Sequence, residues 1–374
     1  MRIAIDAHSV GTELGGNESY ATNLIEALAE IDAVNHYTLY VTRREAVQRF
    51  SNRWPNFVVR ATLPHTPFVR IPLTLSAELR RNPVDVLHVQ FTSPPFAPCP
   101  VVVSIHDLSF EHLPQTFKRR SRTQLRMTVR RSARKAAQVV ALSEYARSDI
   151  ITTYGIRPEK LNVIPLAAPS YFGPVEDAGE LQRIRQIYGI EPDYILTVGS
   201  IQPRKNLSRL IAAYSSLRRA QREVKLPQLV VVGKCAWLYD ETLRTIKELE
   251  VSNSVVLTGY VPEANLPALY SGALCFVYPS YFEGFGLPPL EAMKCGAPVI
   301  ASNKTSLPEV VGQAGILVDP FDVNEIASAI EKVIGNSNLR SHLRAKGFAR
   351  ARLFDWRETA RQTVAVYKKA AGVD

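Results

Sequence analysis

Short runs rich in valine and isoleucine alternate with longer segments of helical period along almost the whole chain. The runs are RIAIDA, YTLYVT, FVVRAT, VDVLHVQ, PVVVSIH and QVVALS in the first half, then YILTVGS, QLVVVGK, VVLTGY, LCFVYPS, PVIAS and GILVD. Continuous apolar strands separated by helices are typical of parallel sheets that are covered on both faces. The alternation therefore predicts an α/β protein with doubly wound parallel sheets.

The alternation is interrupted between residues 160 and 179, where proline, glycine and acidic residues accumulate. A chain of 374 residues is also longer than one hydrophobic core usually supports. We therefore predict two Rossmann-like domains, 1–170 and 171–354, that face a cleft at the carboxyl ends of their strands. No strand follows the amphipathic segment 355–371, which we expect to pack back on the first domain.

The start of the chain, MRIAIDAH, lacks the apolar core of a signal peptide, and no apolar run is long enough to span a membrane. The cysteines have no CxxC spacing and stand alone: Cys99, Cys235, Cys275 and Cys295. These features predict a cytoplasmic protein without a zinc site. They also argue against a periplasmic binding protein, which would need a signal peptide.

A strongly basic segment covers residues 118–135, KRRSRTQLRMTVRRSARK, with nine cations and no acid. Leu125, Val129 and Ala133 would share one helical face, which leaves the cations on the remainder. Such a helix could lie on anionic lipid at the inner face of a membrane or meet the diphosphate of a polyprenyl-linked acceptor. A solvated helix is the alternative. Aromatic residues are not interleaved with the cations, so we expect no nucleic acid partner.

The stretch PSYFEGFGLPPLEAMKCG, residues 279–296, follows a buried strand and leads into a short helix. Two prolines near the start of that helix lack an N–H group, so the free donors fall on Gly284, Phe285, Gly286 and Leu287. A helix N-terminus with uncommitted donors binds phosphate. The flanking carboxylates suit sugar hydroxyls, and we expect Glu283 to bind a transferred hexose and Glu291 a ribose.

A second candidate site is VGSIQPRKN, residues 198–206, in which Arg204 and Lys205 stand at the start of the next helix. Two cations at a helix N-terminus oppose the helix dipole unless an anion binds there. A diphosphate would fit, because arginine offers a bidentate fork and lysine a point charge.

Two further candidates lie in the first half. Gly15 and Gly16 precede a helical segment in SVGTELGGNESY, where a backbone could approach phosphate or sugar closely, but the pattern is not the G-x-G-x-x-G of dinucleotide binding. His106 stands where the run PVVVSIH leaves the sheet. A structural role is the alternative for each.

Taken together, these blocks resemble the retaining glycosyltransferases of family 4, which have the two-lobed GT-B fold. ALSEYARSDIITTYGI, VGSIQPRKN, LTGYV, EGFGLPPLEAMKCGAPVIAS and SLPEVV follow the order and spacing of that family. The resemblance implies that His106 contacts the donor sugar and that Arg204 and Lys205 hold the donor phosphates. It also implies that LTGYV lines the base pocket through backbone groups, with Tyr260 and Val261 among the donor-binding residues. Many members place an arginine directly after the strand-ending glycine, where this chain has Ser200.

The resemblance implies a hexosyltransferase that retains anomeric configuration by front-face substitution, with no cofactor beyond its nucleotide-sugar substrate. The sequence has no D-x-D motif and no His and acid cluster with metal spacing, so we expect the reaction to be metal-independent. The catalytic set would be His106, Arg204, Lys205 and Glu283. EGFGLPP and SLPEVV favour transfer of mannose from GDP-mannose to a glycan or polyprenyl-diphosphate-linked saccharide in surface polysaccharide biosynthesis. The alternatives are a UDP-hexose-dependent transferase, a nucleotide-sugar-binding or epimerising protein, and a phosphorylase with a lysine-bound pyridoxal.

Overall fold

The computed structural model describes residues 1–12, 15–220 and 226–373 of the chain. The chain divides into two compact units, one made of Met1–Leu166 with Asp355–Asp374 and the other of Ala167–Phe354. Each unit contains one parallel sheet with helices packed on it, which confirms the predicted α/β class. Within the described ranges, no helix is both long and apolar enough to cross a bilayer.

The sheet of the first unit has seven parallel strands in the order β3-β2-β1-β4-β5-β6-β7. Its strands are β1 (Arg2–Asp6), β2 (His36–Val41), β3 (Phe57–Ala61), β4 (Val86–Gln90), β5 (Val101–Ile105), β6 (Gln138–Ala141) and β7 (Leu161–Val163). The accompanying helices are α1 (Gly16–Ile31), α2 (Arg44–Phe50), α3 (Pro67–Val69), α4 (Ser76–Arg81), α5 (Ser109–His112), α6 (Arg119–Lys135) and α7 (Glu144–Tyr154).

The sheet of the second unit has six parallel strands in the order β10-β9-β8-β11-β12-β13. Its strands are β8 (Tyr194–Val198), β9 (Gln228–Val232), β10 (Val255–Gly259), β11 (Cys275–Tyr278), β12 (Val299–Ser302) and β13 (Gly315–Val318). The helices are α8 (Ala178–Tyr188), α9 (Leu207–Ala220), α10 (Asp240–Glu248), α11 (Leu266–Ser271), α12 (Leu287–Lys294), α13 (Leu307–Val311), α14 (Val323–Ile334) and α15 (Ser337–Ala351).

Both sheets have the doubly wound strand order, in which the direction of winding reverses once. The reversal lies between β1 and β4 in the first unit and between β8 and β11 in the second. Loops that leave two such strands at their carboxyl ends diverge to opposite faces of the sheet and leave a crevice for a ligand. In the second unit these are the loops that carry Arg204, Lys205 and Glu283.

The central strands explain why the sequence shows continuous apolar runs instead of alternation. Every residue of β4, β5, β6 and β11 is buried, because helices cover both faces of each sheet. In the second unit Leu210, Leu229 and Ile330 are fully buried in one core between sheet and helices. Burying each such side chain contributes about 1.5–3 kcal/mol.

The last helix, α16 (Trp356–Ala371), belongs to the first unit and packs against α1. Asp355 caps its N-terminus by accepting from the N–H of Arg357 at 2.9 Å. Near its C-terminal end, the hydroxyl of Tyr367 lies 2.6 Å from Nδ1 of His88, and both side chains are buried. The end of the chain is therefore hydrogen-bonded into the interior of the first unit.

The sequence predicts six strands for the first sheet, and the structure adds a seventh, β7. It pairs with β6 at the edge of the sheet. Only three residues long, it is followed closely by Pro165, inside the stretch that the sequence assigns to a domain junction. A strand this short has no recognisable periodicity in its sequence, and β7 forms only because it pairs with β6.

Candidate active site

The loop after β8 brings two cations to the carboxyl edge of the second sheet. Pro203–Lys205 forms a 3-10 turn, Asn206 adopts a left-handed conformation with φ 59°, and α9 begins at Leu207. Asparagine tolerates this conformation better than most residues. Its side-chain amide donates to the carbonyls of Pro279 at 3.0 Å and Pro320 at 2.6 Å. The turn is thereby fixed against the loop that follows β11.

Arg204 and Lys205 both contact Glu283, the residue that begins the glycine loop. Nη1 of Arg204 donates to Oε2 of Glu283 at 2.9 Å, and Nζ of Lys205 donates to Oε1 at 2.7 Å. Arg204 also donates to the carbonyl of Phe282 at 2.5 Å. The three charged side chains are about nine-tenths buried. The structure therefore assembles three predicted catalytic residues into one cluster.

This contact changes the interpretation of the two cations. Their position before α9 predicts an anion beside them, and the sequence assigns that anion to a bound diphosphate. In the structure the carboxylate of Glu283 lies between both cations and offsets their repulsion of the helix dipole. The carboxylate neutralises one of the two positive charges, so the cluster keeps a net positive charge that an external anion could balance.

The electrostatics of the cluster keep Glu283 ionised. Burial raises the pKa of its carboxyl group, but the charges of Arg204 and Lys205 and the hydrogen bonds from Lys205 and Ser280 outweigh burial and lower it to about 2. A carboxylate that accepts several charged or polar donors is stabilised in this way. Glu283 is therefore an anion at any pH at which an enzyme assay is run.

Two neighbours of Glu283 were not predicted from the sequence. Ser280 donates to Oε1 of Glu283 at 2.6 Å, and the Tyr278 hydroxyl donates to the same oxygen at 3.1 Å. Nζ of Lys205 donates to the Tyr278 hydroxyl at 2.5 Å and lies 4.9 Å from the centre of its ring. Their position at the carboxyl end of β11 is the signal that could have identified both.

The glycine loop after Glu283 presents three of the four backbone donors that the sequence predicts, those after Gly284. Ser306 donates to the carbonyls of Glu283 at 2.8 Å and Phe285 at 2.7 Å, which fixes the loop. Within the described residues, the N–H groups of Phe285, Gly286 and Leu287 donate to no backbone or side-chain acceptor. Unpaired amides at the N-terminus of α12 are suited to an anion.

Gly286 has a specific structural reason to be glycine. Its φ is 117°, a conformation that side-chain-bearing residues rarely adopt. An added Cβ would lie 2.7 Å from Cδ2 of Leu307 on α13. A residue with a side chain would therefore strain this path of the loop, and α12 begins at the next residue, Leu287.

Glu291 lies on the first turns of α12, and its carboxyl group is buried. The Tyr270 hydroxyl donates to its Oε2 at 3.0 Å. Burial raises the pKa of Glu291 to about 7, although the hydrogen bond from Tyr270 lowers it. The two glutamates thus differ, because Glu283 has cationic partners and Glu291 has a neutral one.

The predicted base-binding residues follow β10. Tyr260 is about half exposed, and Nζ of Lys234, which follows β9, lies 4.4 Å from the centre of its ring. Val261 is buried. An exposed aromatic face beside a cation is compatible with stacking of a nucleobase.

The remaining candidates belong to the first unit. His106 directly follows β5, its ring lies 4.7 Å from that of Tyr20 and 5.0 Å from that of Phe91, and burial lowers its pKa to about 4. Its Nε2 is buried without a hydrogen-bond partner in the described part of the chain. Gly15, with φ 70°, precedes α1, and Gly16 begins it. Glu13 and Leu14 of the same predicted loop lie outside the described residues.

Among the described residues, no group of three or more His, Cys, Asp or Glu side chains could hold a metal ion. The described cysteines all carry free thiols.

Comparison with known proteins places both halves of the chain in one enzyme class. The family model described as glycosyl transferases group 1 matches residues 181–350, and the model described as glycosyltransferase family 4 matches residues 14–168. The O-antigen chain mannosyltransferase B of Escherichia coli is 34% identical over 267 residues, which is 71% of this chain and 70% of that protein.

A longer relative and a solved structure extend the comparison. The serotype-specific mannosyltransferase WbdA of Escherichia coli is 34% identical over 60% of this chain, but the match covers only 28% of WbdA. Among solved structures, sucrose-phosphate synthase from Thermosynechococcus elongatus superposes with a TM-score of 0.77 over 98% of both chains at 21% identity. At that identity the superposition establishes the fold alone.

Proposed function

The chain belongs to the group 1 and family 4 glycosyltransferases and has their GT-B fold, and from this premise we propose that it transfers mannose from GDP-mannose to a saccharide acceptor. Two relatives at 34% identity are named mannosyltransferases, which supports mannose as the sugar. The observation that carries the proposal is the cluster of Arg204, Lys205 and Glu283 beside the unpaired amides of the glycine loop.

The donor diphosphate would bind at the carboxyl edge of the second sheet, between β8 and β11. Arg204 and Lys205 lie after one strand, and the N–H groups of Phe285, Gly286 and Leu287 lie after the other. Both sets favour negative charge, and both sit on backbone that is fixed by side-chain hydrogen bonds. Preorganised donors of this kind stabilise charge that develops on a leaving group.

The two glutamates would bind the sugars at either end of the diphosphate. Oε1 of Glu283 accepts from Lys205, Tyr278 and Ser280, whereas Oε2 accepts from Arg204. Each carboxylate oxygen accepts about two hydrogen bonds, so a hexose hydroxyl would donate to Oε2, which accepts only from Arg204 among these side chains. Glu291 would accept from the ribose with the oxygen that Tyr270 does not engage. We also propose that His106, a neutral imidazole after β5, contacts the donor sugar.

In the proposed reaction the bond between C1 of the hexose and the phosphate oxygen breaks, and a bond from the acceptor oxygen forms on the same face. The acceptor hydroxyl proton passes to an oxygen of the departing phosphate, so no protein base is consumed. Arg204 and Lys205 offset the charge of the leaving diphosphate. The proposal needs no metal ion and no cofactor, and the product keeps the configuration of the donor.

For the acceptor we propose a glycan or a polyprenyl-diphosphate-linked saccharide of a surface polysaccharide. The basic helix α6 supports a partner with anionic groups, because most of its cations are exposed and no acid lies within it. Such a helix would contact anionic lipid peripherally through its cations.

A thermal-shift screen with GDP-mannose, GDP-glucose, UDP-glucose and UDP-galactose tests the donor. A donor at 100 times its Kd should add about 2.7 kcal/mol to the free energy of unfolding, and we expect GDP-mannose to give the largest rise in Tm. The product formed from GDP-mannose should have the α configuration when it is analysed by NMR. It should also form in the presence of EDTA. A larger shift with a UDP-hexose would contradict the donor, and a β-linked product would contradict retention.

A further inference from the structure

Each glutamate of the site is backed by a buried tyrosine. Tyr278, on β11, donates to Glu283 at 3.1 Å, and Tyr270, on α11, donates to Glu291 at 3.0 Å. Both phenol rings are essentially inaccessible to solvent, and burial raises the pKa of both hydroxyls well above 10. Each hydroxyl therefore keeps its proton and acts as a donor to its carboxylate.

The Tyr278 hydroxyl is placed between the two charges of the cluster. It accepts from Nζ of Lys205 at 2.5 Å and donates to Oε1 of Glu283, which Lys205 also contacts at 2.7 Å. The three polar groups thus form a closed triangle. The Tyr278 ring stacks with the ring of Phe276, with ring centres 5.7 Å apart. A fixed hydroxyl in this position restricts where the ammonium of Lys205 can lie.

The Tyr270 hydroxyl has a simpler arrangement. It donates to one oxygen of Glu291, and no cation contacts that carboxyl group among the described residues. The Tyr270 ring packs edge-on against Phe276, with ring centres 5.4 Å apart. This hydrogen bond fixes the orientation of the Glu291 carboxyl group. It therefore also determines where the second carboxyl oxygen points.

We propose that the two tyrosines are positioning residues with separate duties: Tyr278 orders Lys205 and Glu283 for turnover, and Tyr270 orders Glu291 for donor binding. The inference rests on the proposed function, because it assigns the two glutamates to different parts of one nucleotide-sugar donor.

The division follows from where charge changes during transfer. Negative charge grows on the leaving diphosphate in the transition state, so a displaced Lys205 weakens stabilisation there more than in the bound donor, and kcat falls. The ribose hydroxyls keep the same charge throughout the reaction. A misplaced Glu291 therefore weakens donor and transition state equally, which raises KM and leaves kcat unchanged.

The experiment compares Tyr278→Phe and Tyr270→Phe with the unmodified enzyme in steady-state transfer from GDP-mannose. Both variants keep the ring and its packing and lose only the hydroxyl. We expect Tyr278→Phe to lower kcat about tenfold with KM for the donor nearly unchanged, and Tyr270→Phe to raise KM about tenfold with kcat nearly unchanged, which is the scale of one lost hydrogen bond to a charged group.

Tyr194→Phe is the matched control. Tyr194 is a buried tyrosine of the same unit whose hydroxyl donates to the carbonyl of Leu269 at 2.6 Å, without contact to either glutamate. The Tyr194→Phe variant should be less stable than the unmodified enzyme, and its kcat and KM should be unchanged. If Tyr278→Phe does not fold, Ser280→Ala removes another donor to Oε1 of Glu283 and should lower kcat in the same way.

The outcomes separate the inference from the function on which it rests. The inference alone is overturned if the unmodified enzyme transfers the sugar and the two variants change kcat and KM equally. It is also overturned if neither variant changes either constant. A complete absence of transfer from any nucleotide sugar by the unmodified enzyme contradicts the proposed function instead.

Discussion

Nζ of Lys205 lies 2.7 Å from Oε1 of Glu283, although the two residues are 78 positions apart in the chain. They meet because β8 and β11 are neighbours at the point where the strand order of the second sheet reverses. The cations expected to hold the donor phosphates and the carboxylate expected to bind its sugar are therefore one preassembled cluster. A substitution of any one of these residues should therefore alter the position or the charge environment of the other two.

Glu283→Gln should destabilise the protein by about 3 kcal/mol or more, because it leaves Arg204 and Lys205 buried without their counter-ion. Thermal or chemical denaturation at neutral pH measures this loss. The folded pKa of Glu283, about 2, lies below the ordinary value of 4.5. The stabilisation is thus fully present above pH 4.5, and the difference between the two proteins should shrink as the pH falls from there towards 2.

Glu241→Gln is the control for that change. Glu241 is exposed on α10, so its neutralisation should leave the free energy of unfolding within about 0.5 kcal/mol of the original value. Equal stability of the Glu283 and Glu241 variants would contradict the role of Glu283 as a counter-ion.

Donor affinity should depend on pH around 7 through Glu291. The pKa of this carboxyl group is raised to about 7, because burial, the largest cause, and the charge of Glu263 raise it by more than the hydrogen bond from Tyr270 lowers it. As the pH falls through 7 the carboxylate gains a proton and accepts ribose hydroxyls less well, so the Kd for the nucleotide sugar should rise. His106 and Glu283, with pKa values of about 4 and about 2, titrate below this range.

Calorimetric titration from about pH 8 to about pH 6 should show a rise in Kd approaching tenfold, because the ionised fraction of a group with pKa 7 falls about tenfold over that range. Glu291→Gln should bind more weakly and with a flat profile. A profile that is equally steep in the variant would assign the titration to another group.

Gly286→Ala should disrupt donor binding as well as stability. Alanine rarely adopts the φ of 117°, and the new methyl group would lie 2.7 Å from Cδ2 of Leu307, so the loop backbone and the Leu307 side chain must adjust at the N-terminus of α12. Gly189→Ala is the control: Gly189 also has a positive φ, 65°, but nothing lies within 4 Å of its added Cβ. It should cost only about 1–2 kcal/mol of stability. Unchanged donor KM in Gly286→Ala would contradict the loop assignment.

The basic helix α6 should bind anionic membranes. Liposomes with phosphatidylglycerol should float the protein, and liposomes of phosphatidylcholine alone should not. Neutralising three exposed arginines with Arg119→Gln, Arg120→Gln and Arg130→Gln should remove about 3 kcal/mol of attraction. Neutralising Arg244, Lys247 and Lys332 in the second unit removes the same charge and should leave flotation unchanged. Equal loss in both variants would indicate a response to net charge.

Local chemistry made some elements predictable. The two prolines in the stretch 279–296 mark the start of a short helix, and the structure forms that helix as Leu287–Lys294, with φ 84° at Gly296 after its end. The apolar runs of both halves became the central strands, because burial on both faces demands continuous apolar sequence. These signals lie within one segment each and need no knowledge of the tertiary fold.

Contacts between distant segments were not predictable. Nothing in VGSIQPRKN or in PSYFEGFG indicates that Lys205 faces Glu283, so the sequence assigns one residue to the diphosphate and the other to the hexose of a ligand. Tyr278 and Tyr270 look like ordinary core aromatics until the fold places their hydroxyls on Glu283 and Glu291. The strand β7 forms only because it pairs with β6. Each of these features depends on which strands lie side by side.

The most direct test of the account is whether Lys205 recognises the diphosphate of the donor. Calorimetry should compare binding of GDP and guanosine to the unmodified protein, to Lys205→Met, and to Lys247→Met, which removes an exposed lysine of α10. A charge-assisted hydrogen bond contributes about 1.5–3 kcal/mol, so Lys205→Met should reduce the preference for GDP about tenfold or more while guanosine binding and the Lys247 variant stay unchanged. An equal preference for GDP over guanosine in all three proteins would contradict the phosphate site.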